Sequence, residues 1–439
     1  MQKRRIDTIF AGLSLFAMFL GAGNIIFPPY MGAQSGDMWW LSSLGFVVTG
    51  TSLPLLGVLA VANVGGTADA ISARVSHRFA HVFNTLILIF IGPLFAIPRT
   101  AATTIEMSIL PYMPQANPKW VLVVGSALFF IICLAFALSE NSVIDTIGRY
   151  LTPILAGFML FLIITAVFRP PGTPVPPAVG LDNFFYNGFK TGYQTMDGMG
   201  SIVLGGTVAL SLMQKGYQGA ELKRSLRTVA LIAGLGLGIV YIGFAYIGAA
   251  GSGVLQNIHQ YPVLTVKAVQ ILAGQTGQVV LSLVIFFACL TTATGLIATL
   301  GTYFRELLKH RFSYRQVAIV VTLISFAIST LGVDSIVGLA EPILEVMYPV
   351  VIVLIILNLF GHRIHSNMAF KGAVYATIAI SIIMFLSFVP LTSLFAKRVL
   401  FEIPLGEEGF PYLIPAAVGL IIGWFIEMFW ARRRKERDV

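Results

Sequence analysis

The chain has 439 residues, 57% of them hydrophobic and 11% charged, with a mean hydropathy of +0.86. Soluble domains carry about 25% charged residues, so a water-soluble enzyme or binding module is excluded for a chain whose apolar runs recur from Ile9 to Trp430. The net charge of +9 sits in short Lys and Arg clusters between those runs, which argues against nucleic acid as a partner and for the cytoplasmic face of a membrane.

A spanning helix needs roughly 20 mainly apolar residues. In chain order such stretches fall at 9–31, 40–62, 82–107, 120–138, 150–168, 188–213, 226–250, 279–303, 317–333, 340–360, 373–393 and 412–430. They predict an all-α polytopic membrane protein of about twelve transmembrane helices. The first stretch runs on to Pro28 and Pro29, past the roughly 7–15 apolar residues of a leader peptide, and is read as a retained span. The segment 263–273 is too short to cross and is read as an external re-entrant or interfacial helix. Cys133 and Cys289 lie inside apolar runs and make no disulfide or metal framework by spacing.

With the N-terminus inside, 21 basic residues fall in cytoplasmic segments, among them Lys3, Arg4, Arg5, Arg149 and the terminal group Arg432, Arg433, Arg434, Lys435 and Arg437. Only Lys119, Arg169, Lys267, Lys397 and Arg398 fall in external loops. That asymmetry places both termini in the cytoplasm of a bacterial plasma (inner) membrane.

The proline-rich stretch 169–181 (RPPGTPVPPAVGL) divides the chain after five spans. A five-span unit is odd, so a second copy enters from the opposite face, as in the inverted repeats of many secondary transporters. The division expected is a first five-span repeat at 1–170, an external loop at 171–187, a second inverted repeat at 188–361, and two peripheral C-terminal spans with a basic tail at 362–439.

In hydrocarbon, a break in a helix is tolerated only where protein or an aqueous cavity surrounds it. Span one contains Gly21, Ala22, Gly23 and Asn24, followed by Pro28 and Pro29; span six contains Thr195, Met196, Asp197 and Gly198. A single Gly-X-Gly is more often a helix-packing feature, but two interruptions at matching places in two repeats point to a midplane substrate site. Free N–H groups near Gly23 would receive a carboxylate, and exposed carbonyls near Phe19 and Leu20 an ammonium or a sodium ion. In span eight, Thr291 and Thr292 offer adjacent hydroxyl oxygens beside Ala288, although Thr in a helix often bonds its own backbone.

Asp197, Arg99, Glu106, Glu341, Glu345 and Glu427 fall in or at the edges of spans, where an ionised group costs about 2.5–3.5 kcal/mol on insertion scales. Asp197, beside a break, is a candidate for coupling, as cation ligand or proton carrier. Arg99 lies about 17 residues into span three, roughly 26 Å along a straight helix and so toward the outside, and with Glu106 and Glu345 it completes the candidate gate or coupling residues. Glu427 is a boundary residue near the terminal arginines. His77 and His81 lack a metal motif, and Gly234, Gly236 and Gly238 lie inside a span with no preceding strand.

The stretches 16–29 (FAMFLGAGNIIFPP) and 92–106 (GPLFAIPRTAATTIE) resemble the bacterial branched-chain amino acid carrier family. The resemblance covers essentially the whole chain and implies symport of leucine, isoleucine and valine with sodium or a proton. More distantly, Gly21–Asn24 with Phe27 and Pro28 looks like the broken first helix of amino acid-polyamine-organocation-type transporters with a five-plus-five inverted repeat. Residues 286–292 (FFACLTT) look like their span-eight sodium segment. That likeness implies one sodium site from the carbonyls of Ala17, Leu20 and Ala288 and the hydroxyls of Thr291 and Thr292, with Asn24 and Thr195 for a second. Asp197 stands where that distant group has a neutral residue, which changes the charge balance of a second site.

The reading is therefore a gradient-driven carrier with a sodium ion or proton as coupling ion and no other cofactor, no enzymatic constellation and no Walker-type motif. Its partners would be small-molecule substrate and membrane lipid, with no nucleic acid and no obligatory protein partner. The alternatives are an ion channel, or a carrier for another small zwitterionic solute.

Overall fold

The computed structural model describes the backbone of residues 2–66, 68–138, 143–361 and 363–437. The side chains of Lys3, Arg5, Arg149 and the terminal cluster Arg432, Arg433, Arg434, Lys435 and Arg437 lie outside the described residues. Among the described residues, all regular structure is helical. Among the described residues, eight helical segments are long and apolar enough to cross a bilayer, or nine if the interrupted pair Phe184–Tyr193 and Asp197–Gln214 counts as one. Three shorter apolar helices, Ile6–Phe19, Pro153–Phe168 and Tyr314–Ser329, fall on further apolar stretches of the sequence. The first two predicted spans run into one another along Ala22–Asn63, which is one reason the count of long helices is lower than the count of stretches.

The chain folds into two compact units whose segments interleave along the sequence: Met1–Thr51, Leu88–Met196 and Ile232–Ala340 in the first, and Ser52–Ile87, Asp197–Leu231 and Glu341–Val439 in the second.

In the first unit, helix Trp39–Val47 and helix Phe184–Tyr193 meet along a seam of small residues. A Cβ on Gly188 would fall 1.8 Å from the Ser42 carbonyl oxygen, one on Gly45 2.0 Å from that of Phe185, and one on Gly192 2.0 Å from Thr49 Oγ1. Thr49 Oγ1 donates to the Phe189 carbonyl across the seam at 2.7 Å. Lipid tails are as apolar as leucine, so helices here associate through close backbone approach and such interhelical bonds rather than by expelling water.

The prolines of 169–181 remove N–H donors and disfavour helix, and this stretch is extended but pinned. Asp37 N–H donates to Val175 O and Ala178 N–H to Gln34 O, both at 2.9 Å. Val175 N–H donates to Ser252 Oγ at 3.0 Å. Gly36, at φ +55°, ends helix Ala22–Ser35 where any side chain would strike the Val175 oxygen, 2.0 Å from the place of its Cβ. The long helix Tyr261–Leu307 is divided at Gly274, whose φ of +63° is non-helical, so the residues before it form the separate short helix expected for 263–273.

In the second unit, helix Leu53–Asn63 packs on Asp197–Gln214 with Gly57 facing Ser201, and helices Asn367–Leu386 and Leu413–Arg437 form a close pair where Gly372 meets Gly419. Glu427 has partners of its own among the described residues. Its Oε2 accepts the Ser366 hydroxyl at 2.5 Å and Met368 N–H at 2.9 Å, at the N-terminus of helix Asn367–Leu386, where the helix dipole favours a carboxylate. Arg74 donates to the Ile364 carbonyl at 2.7 Å and lies over the Phe370 ring. Trp120, Ile131 and Leu235 in the first unit and Trp424 and Phe425 in the second are half or more exposed, an apolar surface suited to hydrocarbon rather than water.

The seam generates a test. Gly188→Val forces the Ser42 backbone away and is expected to cut the yield of monodisperse protein in size-exclusion chromatography several-fold, whereas Gly157→Ala, with nothing within 4 Å of the new Cβ, leaves it unchanged.

Candidate substrate and ion site

Helix Gln2–Phe19 ends at the middle of the first apolar stretch, and a new helix starts at Ala22. In a continuous helix the Gly21 N–H would bond the Ala17 carbonyl. Instead it donates to Phe19 O at 2.7 Å and to Asn24 Oδ1 at 3.2 Å. The Ala17 carbonyl is thereby released from Gly21, and the break is closed by a side chain from the following turn. Asn24 is fully buried, and its Nδ2 donates to the Tyr241 hydroxyl. The Tyr241 ring packs edge-on against Phe46 at 5.0 Å.

The second break follows helix Phe184–Tyr193. Its last turn tightens, with Thr195 N–H bonding Gly192 O at 3.3 Å, Met196 N–H bonding Tyr193 O at 2.9 Å, and Thr195 Oγ1 donating to Gly192 O at 2.9 Å. Met196 takes φ +63°, a left-handed conformation that costs a side-chain-bearing residue on the order of 1–3 kcal/mol and persists where surrounding structure enforces it. The next helix opens with Asp197 and Gly198 and belongs to the second unit. An acidic residue in a first turn suits the partial positive charge there. Gly198 lies against Leu53 and Tyr348, and Glu345 is buried in the same unit.

Arg99 is where the two breaks meet in the first unit. It is 3% exposed. Nη1 donates to the Gln194 carbonyl at 2.6 Å, and a Cβ on Gly23 would fall 2.8 Å from Nη2. The guanidinium carbon stands 5.2 Å from the centre of the Phe27 ring. The straight-axis depth estimate does not apply to this residue, because the backbone leaves helical geometry at Gly92 (φ −83°, ψ −113°) and again at Phe95 before helix Ala96–Ser108 begins.

Glu106 serves elsewhere in the unit. Its Oε1 accepts Val333 N–H at 2.9 Å, capping helix Val333–Leu359 from a distant segment. Asp334 Oδ1 accepts Tyr261 N–H at 3.2 Å, and the Tyr261 ring packs on Phe27 and Tyr30. Tyr241, Gln194, Tyr261 and Asp334 escaped the sequence reading. Their partners are remote in the chain, and no local periodicity signals such pairs.

For the ion, the span-eight segment comes up to the first break: the Thr292 methyl is 3.8 Å from the place of a Gly21 Cβ. Thr291 Oγ1 donates to the Ala288 carbonyl at 3.0 Å, the local backbone bond common for Thr in helices; the hydroxyl keeps lone pairs for a cation. Among the described residues, no group of three or more His, Cys, Asp or Glu could hold a metal. Carbonyl and hydroxyl oxygens near a broken helix are hard ligands that fit an alkali cation rather than a soft transition metal.

Many apolar helices, two of the spans interrupted, with a buried polar cluster at the first break, define the helical solute-carrier class. The fold agrees: a solved Na+-coupled sialic acid symporter, in a substrate-bound outward-open state, matches over 95% of this chain and 88% of that one with a TM-score of 0.57 at 16% identity. The chain belongs to the branched-chain amino acid transport protein family, which matches residues 4–430. The branched-chain amino acid permease BraB of Bacillus subtilis strain 168 is 33% identical, over 96% of both chains. The branched-chain amino acid transport system 3 carrier protein of Pseudomonas aeruginosa is 34% identical, over 94% of both.

Asn24 carries the first break, so Asn24→Ala, which strips the Gly21 N–H and the Tyr241 hydroxyl of a partner, is expected to cost about 1–3 kcal/mol. Thermal unfolding in detergent should show a lower Tm for Asn24→Ala than for Tyr241→Phe, which spares the Gly21 bond.

Proposed function

We propose that this chain is a secondary active symporter that imports leucine, isoleucine and valine by alternating access, driven by a sodium or proton gradient. The observation that carries the reading is the helix break at Leu20–Gly21, with its redirected N–H and released Ala17 carbonyl, in a chain whose near-full-length relatives are named branched-chain amino acid permeases and carriers. A carrier, and not a channel, is the function this family membership supports.

In the proposed architecture about twelve helices span the bacterial plasma membrane. Five-plus-five inverted repeats at 1–170 and 188–361, of the amino acid-polyamine-organocation type, have broken first and sixth helices, and two peripheral helices follow in 362–439. The excess of basic residues in one set of loops supports cytoplasmic termini. At the first break, where Gly21 opens the chain, the free amides around Ala22, Gly23 and Asn24 receive the substrate carboxylate, helped by the helix N-terminus, while Thr195, Met196, Asp197 and Gly198 contribute from the second break. When sodium is the coupling ion, the carbonyls of Ala17, Leu20 and Ala288 and the hydroxyls of Thr291 and Thr292 hold it; Asp197 is the alternative proton carrier. Arg99, Glu106 and Glu345 remain the candidate gate or coupling residues of this scheme. An apolar pocket separates substrates differing by one methylene by only about 1–3 kcal/mol, so all three amino acids should compete.

Radiolabelled leucine uptake into proteoliposomes, with sodium and proton gradients imposed separately, tests solute and ion together. Saturable accumulation inhibited by isoleucine and valine is expected under one gradient; no accumulation under either overturns the reading. Thr292→Ala and Thr291→Ala are expected to raise the sodium concentration for half-maximal uptake by about tenfold, the equivalent of roughly 1.4 kcal/mol. Unchanged sodium activation in both would remove the ion from that site. Asp197→Asn is expected to change the pH or sodium profile of uptake at near-normal abundance in the membrane.

A further inference from the structure

The carrier scheme above uses each break for its own exposed groups, but the first unit also ties the two together. The Gln194 carbonyl would, in an unbroken helix, accept the N–H of Gly198, four residues on. The left-handed turn at Met196 interrupts that register, and Arg99 Nη1 supplies a donor at 2.6 Å instead. The other guanidinium nitrogen lies against Gly23 of the first break, at 2.8 Å from where a Cβ would stand. A real Cβ does not come that close, and it would also stand 2.9 Å from Phe27 Cε2, so a side chain at residue 23 would shift the guanidinium, the Phe27 ring or both. Phe27, one turn on from Gly23, presents its ring 5.2 Å from the guanidinium carbon, within the range in which an aromatic face attracts a cation.

We propose that Arg99 is a positioning residue for transport: a buried strut, seated by the absent side chain of Gly23 and bonded to the Gln194 carbonyl, that holds the first break in register with the second and so sets the affinity for the amino-acid substrate. The proposal rests on the substrate reading above for its transport readout. It does not depend on which ion is coupled. Arginine suits the role because its planar fork presents donors in two directions at once, whereas lysine carries a single point of charge and cannot reach both places in one geometry.

The test is a double-mutant cycle of Arg99→Lys and Gly23→Ala, read in proteoliposomes as KM and Vmax for leucine, with the Tm of each purified variant measured without substrate. Because both residues bear on the seating of one guanidinium, each single variant is expected to raise KM by about tenfold, and the double variant to raise it by little more than either alone. Arg99→Gln, which keeps an amide donor but loses the fork and the charge, should fall with Arg99→Lys and not with the wild type. A KM within about twofold of wild type for Arg99→Lys, or effects of the two single variants that multiply in the double, overturns the strut. Should Gly23→Ala fail to yield folded protein, the Arg99→Lys and Arg99→Gln comparison decides by the same KM criterion. If the wild type accumulates no leucine, it is the substrate reading that fails, and the cycle is then read on Tm: non-additive losses support the strut and additive losses overturn it.

Discussion

A peptide group that has lost its helical partner inside hydrocarbon must find another, and the arrangement of this protein's polar centre is a set of answers to that demand. Gly21 turns its N–H to Asn24, Asn24 turns its amide to Tyr241, and Gln194 turns its carbonyl to Arg99. None of these partners is adjacent in sequence to what it completes, apart from Asn24. Local bonds and tertiary partners thus complete the breaks together.

The same constraint explains why the first unit is built with so little side-chain bulk where its helices cross. Without a hydrophobic driving force between helices, affinity comes from contact distance and from bonds such as that of Thr49 to Phe189. Close packing leads up to the second break: Gly188 and Gly192 seat helix Phe184–Tyr193 against Ser42 and Thr49, just before the turn at Met196. The strain at Met196 is then held by packing that precedes it in the chain.

Much of this was legible in the sequence. Hydropathy and charge identify a polytopic helical protein. The places where the first and sixth apolar stretches break follow from Gly21–Asn24 and from Thr195–Gly198, because glycine and small polar residues in the middle of an apolar run weaken a continuous helix at that point. The resemblance to branched-chain carriers agrees with the family match. Less legible was what each charge does. Glu106 reads as a gate or coupling residue from its place in a span, and its bond to the start of a helix more than two hundred residues later could not be read there. Arg99 reads as a gate residue toward the outside when its helix is taken as straight; the backbone departs from helix at Gly92 and Phe95, and the side chain lies against both breaks. Pairings across such separations depend on tertiary register, which neither periodicity nor propensity encodes. The interleaving of the two units along the chain is hidden for the same reason.

The proline-rich stretch after the fifth predicted span has the composition of a disposable tether, the kind of place where a reporter or an epitope is usually inserted. Its backbone is instead stitched to Gln34, Asp37 and Ser252, immediately after the helix that starts at the first break. Lengthening the chain between Val175 and Ala178 would unpick those stitches and loosen the far end of that helix. Gly180, where nothing lies within 4 Å of the place of a Cβ, carries none of them and bears only the local turn closed by Leu181 N–H on Ala178 O. Cargo fused at one of two places only a few ångströms apart along the chain would thus pull on a local turn, and at the other would reach through the helix toward the carrier's centre.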